Sequence, residues 1–353
     1  MSKKEIFGMN LEELQGAFGE FGVKKYRAMQ VFRWLYEQGV TSFEEMTNLS
    51  KADRELLSAN FNLSSGSVKV IRELASVDGL TNKVLLEFPD KSCVETVVMH
   101  HDYGYSVCLS SQVGCNMNCA FCASGISGFE RNLTAGEILA QVYYFQRLLQ
   151  PKGARVSRVV VMGSGEPMLN LDNVLHALDI LHSDYGQCIG YRNMTISTCG
   201  VIPGIAKLTA AGRTINLAVS LHAASDTLRT KLMPINKTYN YLKVIEAADA
   251  YEEGNGRQVM YEYILLAGIN DSKADAQTLA DTLQHRNCVV NLIPANPVPE
   301  KGFARPSQTV IDDFFQTLKA RKINVTLRKE MGKDINAACG QLRASTLKEE
   351  KSC

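Results

Sequence analysis

Apolar residues near the start of the chain recur at three- and four-residue steps: Leu11, Leu14, Phe18 and Phe21, then Met29, Phe32, Trp34 and Leu35. That spacing puts them on one side of a helix, so residues 1–62 read as a helical segment. From Val68 the pattern shortens to VKVIRELAS, NKVLLEF and CVETVVM, separated by VDGL and PDKS. Short β-rich runs between turn residues predict antiparallel strands joined by hairpins over residues 63–103. From Gly104 the two periods alternate. The apolar runs YSVCLSS, SRVVVMG, NMTIST, TINLAVSL, RQVMYEYILL, CVVNLI and INVTLR are interleaved with helical stretches such as LDNVLHALDILH, IPGIAKLTAAG and KADAQTLADTLQH. Thr134 with Glu137 three residues later is a capping box ahead of ILAQVYYFQRLL. Six or seven strand–helix alternations predict a parallel sheet, open or curved toward a barrel, over residues 104–345, with 346–353 as a tail.

Polar and glycine residues gather where these strands end. Gly163, Gly165 and Glu166 follow the second strand, Ser197 ends the third, Ser220 and His222 end the fourth, and Asn296 follows the sixth. In open and barrel-like α/β folds ligands sit at the carboxyl ends of the strands, so one rim collects the candidates. Singly, each has an ordinary structural reading. Glu166 can be a helix-start acid, Ser197 and Asn296 turn or cap residues, and His222 a satisfied core histidine.

Composition sets bounds on the class. With 45% hydrophobic and 21% charged residues among 353, the chain can bury a core, which excludes disordered and collagen-like classes. Thirty-eight Lys and Arg against thirty-seven Asp and Glu exclude an overtly polybasic protein, though not a local nucleic-acid face. Residues 305–343 hold eight bases against four acids, a local excess of four positive charges that could follow phosphates or belong to solvated helix faces. No apolar run is of signal-peptide or membrane-spanning length, so a cytoplasmic protein without membrane association is expected.

Ten cysteines in such a setting argue against a disulfide scaffold. Seven are scattered, but Cys115, Cys119 and Cys122 crowd into CNMNCAFC, on a loop between the first strand of the alternating region and the Thr134 helix. Structural zinc usually takes four ligands in paired spacing; no second pair exists and no histidine lies nearby. An iron–sulfur cube held by three thiolates keeps one iron open to a ligand, since four cysteines are the usual complement. Three buried thiols, or a zinc knuckle borrowing a remote ligand, are the alternatives.

The Cys-x3-Cys-x2-Cys loop followed by GSGEP resembles the radical S-adenosylmethionine (SAM) superfamily. SSQVGCNMNCAFCASG, RNLTAGEI, MGSGEPMLN, ISTCGVIPGI, SLHAASDTLRTKLMPINKTY, NLIPANP and DINAACGQLR together resemble the RlmN/Cfr family of RNA adenine methyltransferases, across essentially the whole chain. Ser164 is one departure, standing where the family commonly has Met or Ile. The resemblance implies an α/β fold: a partial (βα)6 radical-SAM barrel (104–345) with an N-terminal helical accessory domain for RNA recognition (1–62) and a short β-hairpin connecting segment (63–103).

It also implies roles. Cys115, Cys119 and Cys122 would hold a [4Fe-4S] cluster; Gly165, Glu166, Ser197, Ser220, Leu221, His222 and Asn296 would hold SAM, two per turnover. Carbon 2 of adenine lies between two ring nitrogens and is too electron-poor to attack a sulfonium methyl group, so radical chemistry supplied by a cofactor is required. In the family, Cys339 accepts a methyl group, Cys108 resolves the covalent RNA adduct through a transient disulfide, and Glu95 is the proton acceptor. Apart from the resemblance, Cys339 would read as a small buried residue, Cys108 as strand core and Glu95 as a solvated strand position. The implied substrates are 23S rRNA in the peptidyl-transferase region (adenosine 2503) and a subset of tRNAs (adenosine 37). A reductant or electron donor protein is the implied partner. Cfr-type methylation of carbon 8, conferring antibiotic resistance, uses the same two cysteines; Pro167, Val113 and the complete N-terminal segment look more like the RlmN side.

Overall fold

The computed structural model describes residues 3–66, 68–296, 298–337 and 340–342. Its N-terminal part runs β1 (Lys4–Glu5), α1 (Leu11–Gly19), α2 (Lys25–Arg33), α3 (Lys51–Asn60) and β2 (Phe61–Asn62). The strands β1 and β2 pair in parallel, so the two ends of the helical segment meet. The helix face expected to include Phe21 stops short of it: α1 ends at Gly19 and Phe21 is exposed.

Three antiparallel strands follow, β3 (Lys69–Ala75), β4 (Thr81–Glu87) and β5 (Cys93–His101). Then come β6 (Gly104–Cys108), β7 (Gln112–Gly114), β8 (Phe129–Asn132), α4 (Ala135–Leu149), β9 (Val156–Val161), α5 (Leu171–His182), β10 (Met194–Thr198) and α6 (Ile202–Ala210). The chain continues through β11 (Asn216–Ser220), α7 (Asp226–Leu232), α8 (Tyr241–Asn255), β12 (Val259–Leu265), α9 (Lys273–Leu283), β13 (Cys288–Pro294), α10 (Gln308–Ala320) and β14 (Val325–Leu327).

Ten strands form one open sheet in the order β14-β13-β12-β11-β10-β9-β6-β5-β4-β3. From β6 to β14 the pairing is parallel; from β3 to β6 it is antiparallel. The hairpin strands of residues 63–103 are therefore continuous with the parallel sheet, because β5 pairs along β6 with Val97 opposite Cys108. Sequence could not reveal this, since a hairpin turn looks the same whether or not its second strand continues into a larger sheet.

Register fixes which side chains share a face, since directly paired residues point the same way. Lys83 lies opposite Val97, Val97 opposite Cys108, and Cys108 opposite Val160. Val160 lies opposite Thr195, Ser220 opposite Glu262 and Glu262 opposite Asn291. Glu95 shares the face of Val97 two residues along, and Ser197 that of Thr195.

The capping box forms as the sequence predicts: Thr134 Oγ1 accepts from Glu137 N–H, and Thr134 N–H donates to the Glu137 carboxylate at 2.9 Å. That start aims α4 through the core, where most of its residues are buried. The N-terminal segment docks on it. Tyr143 O–H donates to Tyr36 O at 2.6 Å, and the rings of Phe7, Tyr36 and Tyr143 lie 5.5–5.9 Å apart. Gly8 makes the close approach possible, since a Cβ there would stand 2.6 Å from Gly136 N. Among the described residues no helix is long and apolar enough to cross a membrane.

Candidate active site

The cysteine loop is closed at its base by the β7–β8 ribbon, which the sequence pattern did not signal. Gln112 pairs with Asn132 and Gly114 with Phe129, while Cys115 N–H donates to Gly128 O at 3.0 Å. Gly114 adopts φ +70°, and a Cβ there would meet Gly128 O at 1.8 Å, so only glycine fits. Further hydrogen bonds anchor the loop at a distance: Ala120 N–H to Leu232 O, and Ala123 N–H to Gly340 O.

Cys115, Cys119 and Cys122 are all half-buried and line one cavity. Burial pushes the Cys115 thiol up to about 11, with Cys122 and Glu166 adding to the effect. Cys119 is also raised by burial, with the two neighbouring sulfurs and Glu166 acting in the same direction. Such thiols need a positive centre to become thiolates. Among the described residues no three His, Cys, Asp or Glu side chains close around a single ion. The three residues line one cavity, and three protein thiolates match the ligands of a cluster that keeps one iron open, whereas structural zinc takes four.

The turn after β9 lines the same cavity. Ser111 and Gln112 N–H both donate to Ser164 O, Ser164 N–H donates to Ser110 Oγ, and Glu166 N–H donates to Gln112 Oε1 at 2.8 Å. The SSQ and GSGEP motifs are therefore two sides of one stitched structure. Gly165, at φ +107°, would carry a Cβ 2.6 Å from Gln112 Cβ. Glu166 is buried and its carboxylate accepts Met168 N–H at 3.0 Å and Cys199 N–H at 2.8 Å. Burial raises its pKa, and those hydrogen bonds oppose the rise. The helix-start reading is correct for this side chain, and Glu166 also lines the cavity beside Gly165.

Ser197, Ser220 and His222 complete the same wall. His222 has φ +58°, and its Nδ1 accepts Ile264 N–H at 3.0 Å. Burial, with Arg229 adding, lowers its pKa to about 3, so the ring is neutral with its proton on Nε2. Leu221 stands apart: it is fully buried and outside the lining, and only its backbone takes part, donating to Glu262 O and accepting from Arg229.

Arg229 was not legible as a site residue. It sits on α7, a helix of seven residues too short to show a period, and is fully buried. Its guanidinium donates to Leu221 O (3.1 Å), Asn236 Oδ1 (2.9 Å), Cys199 O (2.7 Å) and Ser220 O (3.1 Å), tying together the ends of β10 and β11. Arg229→Met keeps most of the volume and removes every donor. With four buried or part-buried acceptors left unmade at roughly 1–3 kcal/mol each, a loss of at least about 4 kcal/mol is expected. A lowered urea midpoint and weaker SAM binding will check it.

A second cavity shares Met162, Glu262, Ile293 and Arg328 with the first. Cys108 and Asn296 both line it, while Ser197 and His222 line the first. Glu262 is buried and accepts Asn291 Nδ2–H at 2.9 Å; among the described residues its other oxygen and Asn296 Oδ1 have no hydrogen-bond partner. A lone acid inside the apolar run VMYEYILL was the available signal for Glu262. Glu95 lines neither cavity. It is buried, with Lys83 Nζ 3.0 Å from its Oε1, so the solvated-face reading fails. Lys83 Nζ also donates to Asn336 O at 3.0 Å.

Cys339 lies outside the described residues. Close to it in sequence, Gly340 lines the first cavity, and Ala337 and Leu342 line the second. Ser124 Oγ–H donates to Leu342 O at 2.9 Å, linking this C-terminal stretch to the cysteine loop.

Comparison with known proteins agrees with this arrangement. Residues 4–63 match the ribosomal RNA large subunit methyltransferase N-terminal domain, and residues 109–279 match the radical SAM superfamily. The chain is 47% identical to a probable dual-specificity RNA methyltransferase RlmN of Staphylococcus carnosus, over 97% of this chain and 93% of that one. It is 48% identical to a protein of the same description from Desulforamulus reducens, over 97% and 96%. The crystal structure of a radical SAM methyltransferase from Sphaerobacter thermophilus superposes with a TM-score of 0.93 at 42% identity, covering 97% of this chain and all of that one.

Proposed function

Because the chain belongs to the RlmN family of radical SAM RNA methyltransferases, we propose that it methylates carbon 2 of adenosine in 23S rRNA and in a subset of tRNAs, by way of a methyl group carried on Cys339. The observation that carries the reading is the pair of cavities with a common wall: the three cysteines and the GSGEP turn on one side, Cys108 on the other. When bound, the [4Fe-4S] cluster and SAM supply the carbon-radical chemistry that an electron-poor ring position needs.

The chain's own residues do the rest. Cys115, Cys119 and Cys122 hold the cluster. Gly165 keeps the turn close enough to Gln112 for its backbone to face the cavity, and Ser197, Ser220 and the Nε2–H of neutral His222 orient SAM. Asn296, whose Oδ1 has no partner among the described residues, holds SAM from the edge of the second cavity. Cys339 would accept its methyl group from one SAM, and a second SAM would supply the radical chemistry. Glu95, paired with Lys83 on the sheet face it shares with Cys108, would accept the ring proton. The Cys108 thiolate would then attack Cys339 sulfur: the S–S bond forms as the C–S bond to the base breaks, the departing carbon takes a proton to become the methyl group, and cellular thiols reduce the disulfide. A reductant protein supplies electrons to the cluster.

Mass mapping of nucleosides from a ribosomal RNA fragment treated in vitro tests the regiochemistry. The expected product is 2-methyladenosine. Pro167, which lines the first cavity, and Val113 in the ribbon support that outcome. Finding 8-methyladenosine as the main product transfers the protein to the Cfr-type activity.

A further inference from the structure

The tip of the β5–β6 hairpin carries HHDYGY, five side chains of which four are rings. They are not splayed. His100 stacks on Tyr105 with centroids 4.4 Å apart and planes 13° from parallel, and His101 stacks on Tyr103 at 4.6 Å and 14°. The Arg158 guanidinium, from the neighbouring strand β9, lies 4.0 Å from the Tyr103 ring centroid. Tyr103, His100 and Arg158 are all exposed. An exposed tyrosine with a histidine and an arginine packed against it is a preformed platform, not a loose surface side chain.

The surroundings are cationic. His101 is held below its usual pKa by burial first, and then by Arg158, His100 and Lys329; Arg328 acts on Tyr103. Among the described residues neither Arg158 nor Lys329 has a salt-bridge partner within 4.0 Å, although Asp78 interacts with Lys329 at longer range. Asp102 is the one acid on the tip, and nearby Glu330 is already engaged by Arg305 and Lys333. The second cavity connects this patch to the chemistry: His101, Tyr103, Arg328 and Lys329 line the same cavity as Cys108.

We propose that the β5–β6 hairpin tip, with Arg158 and Lys329, is the docking surface for the single-stranded RNA that flanks the target adenosine. The inference rests on reading the cavity beside Cys108 as the seat of the target base. A base removed from its stack drags its neighbours to the cavity rim, where they need ring faces and cations. Rings and guanidinium planes accept any base, while Arg158 and Lys329 take phosphates. Such a surface binds by shape and charge without reading sequence, which suits an enzyme acting on more than one RNA.

Fluorescence anisotropy on the reconstituted full-length protein, with a labelled stem-loop RNA holding an adenosine in its loop, tests this. The Tyr103→Ala/Arg158→Gln double variant should bind about tenfold more weakly. Its plot of log Kd against log salt should flatten by about one unit, as expected for one lost phosphate contact. Arg158→Gln alone, at an exposed position, should flatten the plot with an unchanged thermal midpoint. Tyr103→Phe should restore wild-type affinity, and Lys243→Gln on exposed α8 should change neither quantity. Wild-type affinity and salt slope in the double variant would overturn the hairpin assignment and leave the proposed function standing. A wild-type protein that binds no RNA would overturn both.

Discussion

Cys119→Ala, reconstituted without oxygen, will lack both the brown iron–sulfur chromophore and the ability to cleave SAM. Three thiols on one short loop supply all the protein ligands this reading gives the cluster, so removing one leaves no nearby replacement. Cys199 lines the same cavity, yet it is buried and burial holds its thiol well above its usual pKa. Changes outside the ligand shell of a metal centre already cost 10–100-fold; loss of a ligand itself should exceed about 10³-fold in SAM cleavage. Iron and sulfide analysis with anaerobic absorption spectra will check it. A variant retaining full iron content would remove Cys119 from the ligand set.

The second large effect separates the two remaining cysteines by the kind of failure each produces. Cys339→Ala cannot be loaded with a methyl group, so it should be inactive and come free of RNA. Cys108→Ala still permits loading and addition to the base, but nothing can attack the Cys339 sulfur to release it. It should stop after one turnover and carry RNA that survives denaturation, trimmed by nuclease to a nucleotide remnant on the peptide holding Cys339. The setting of Cys108 supports this: it is buried among Val97, Met162 and Leu342, on the face shared with Glu95 and in the wall of the second cavity. Clean Cys108→Ala protein with wild-type turnover would return this thiol to the core of β6.

Much of this is legible in the amino-acid sequence alone. The helix expected at LDNVLHALDILH is α5, and the capped helix after Thr134 is α4, because both have strong apolar periods and local start signals. The crowding of three cysteines needed no fold to be noticed. Failures came where the deciding partner was remote. Seven residues of α7 show no period, yet Arg229 on that helix holds two strand ends together through four acceptors. The β7–β8 ribbon has only three and four residues in its strands, too few for an alternation to register.

The sequence by itself determined what is carried by neighbours along the chain: the element types, the ligand loop, the glycines of GSGEP and the family pattern. Tertiary structure alone decided which side chains share a cavity. It put Asn296 in the lining of the second cavity, withdrew the Leu221 side chain into the core, and turned the Glu166 carboxylate onto the backbone of Met168 and Cys199. It also buried Glu95 against Lys83, twelve residues away on the adjacent strand. The physical reason is the range of the interactions. Periodicity and caps act within a few residues, whereas strand register and the desolvation of charged groups are settled by pairings between distant segments that no local pattern encodes.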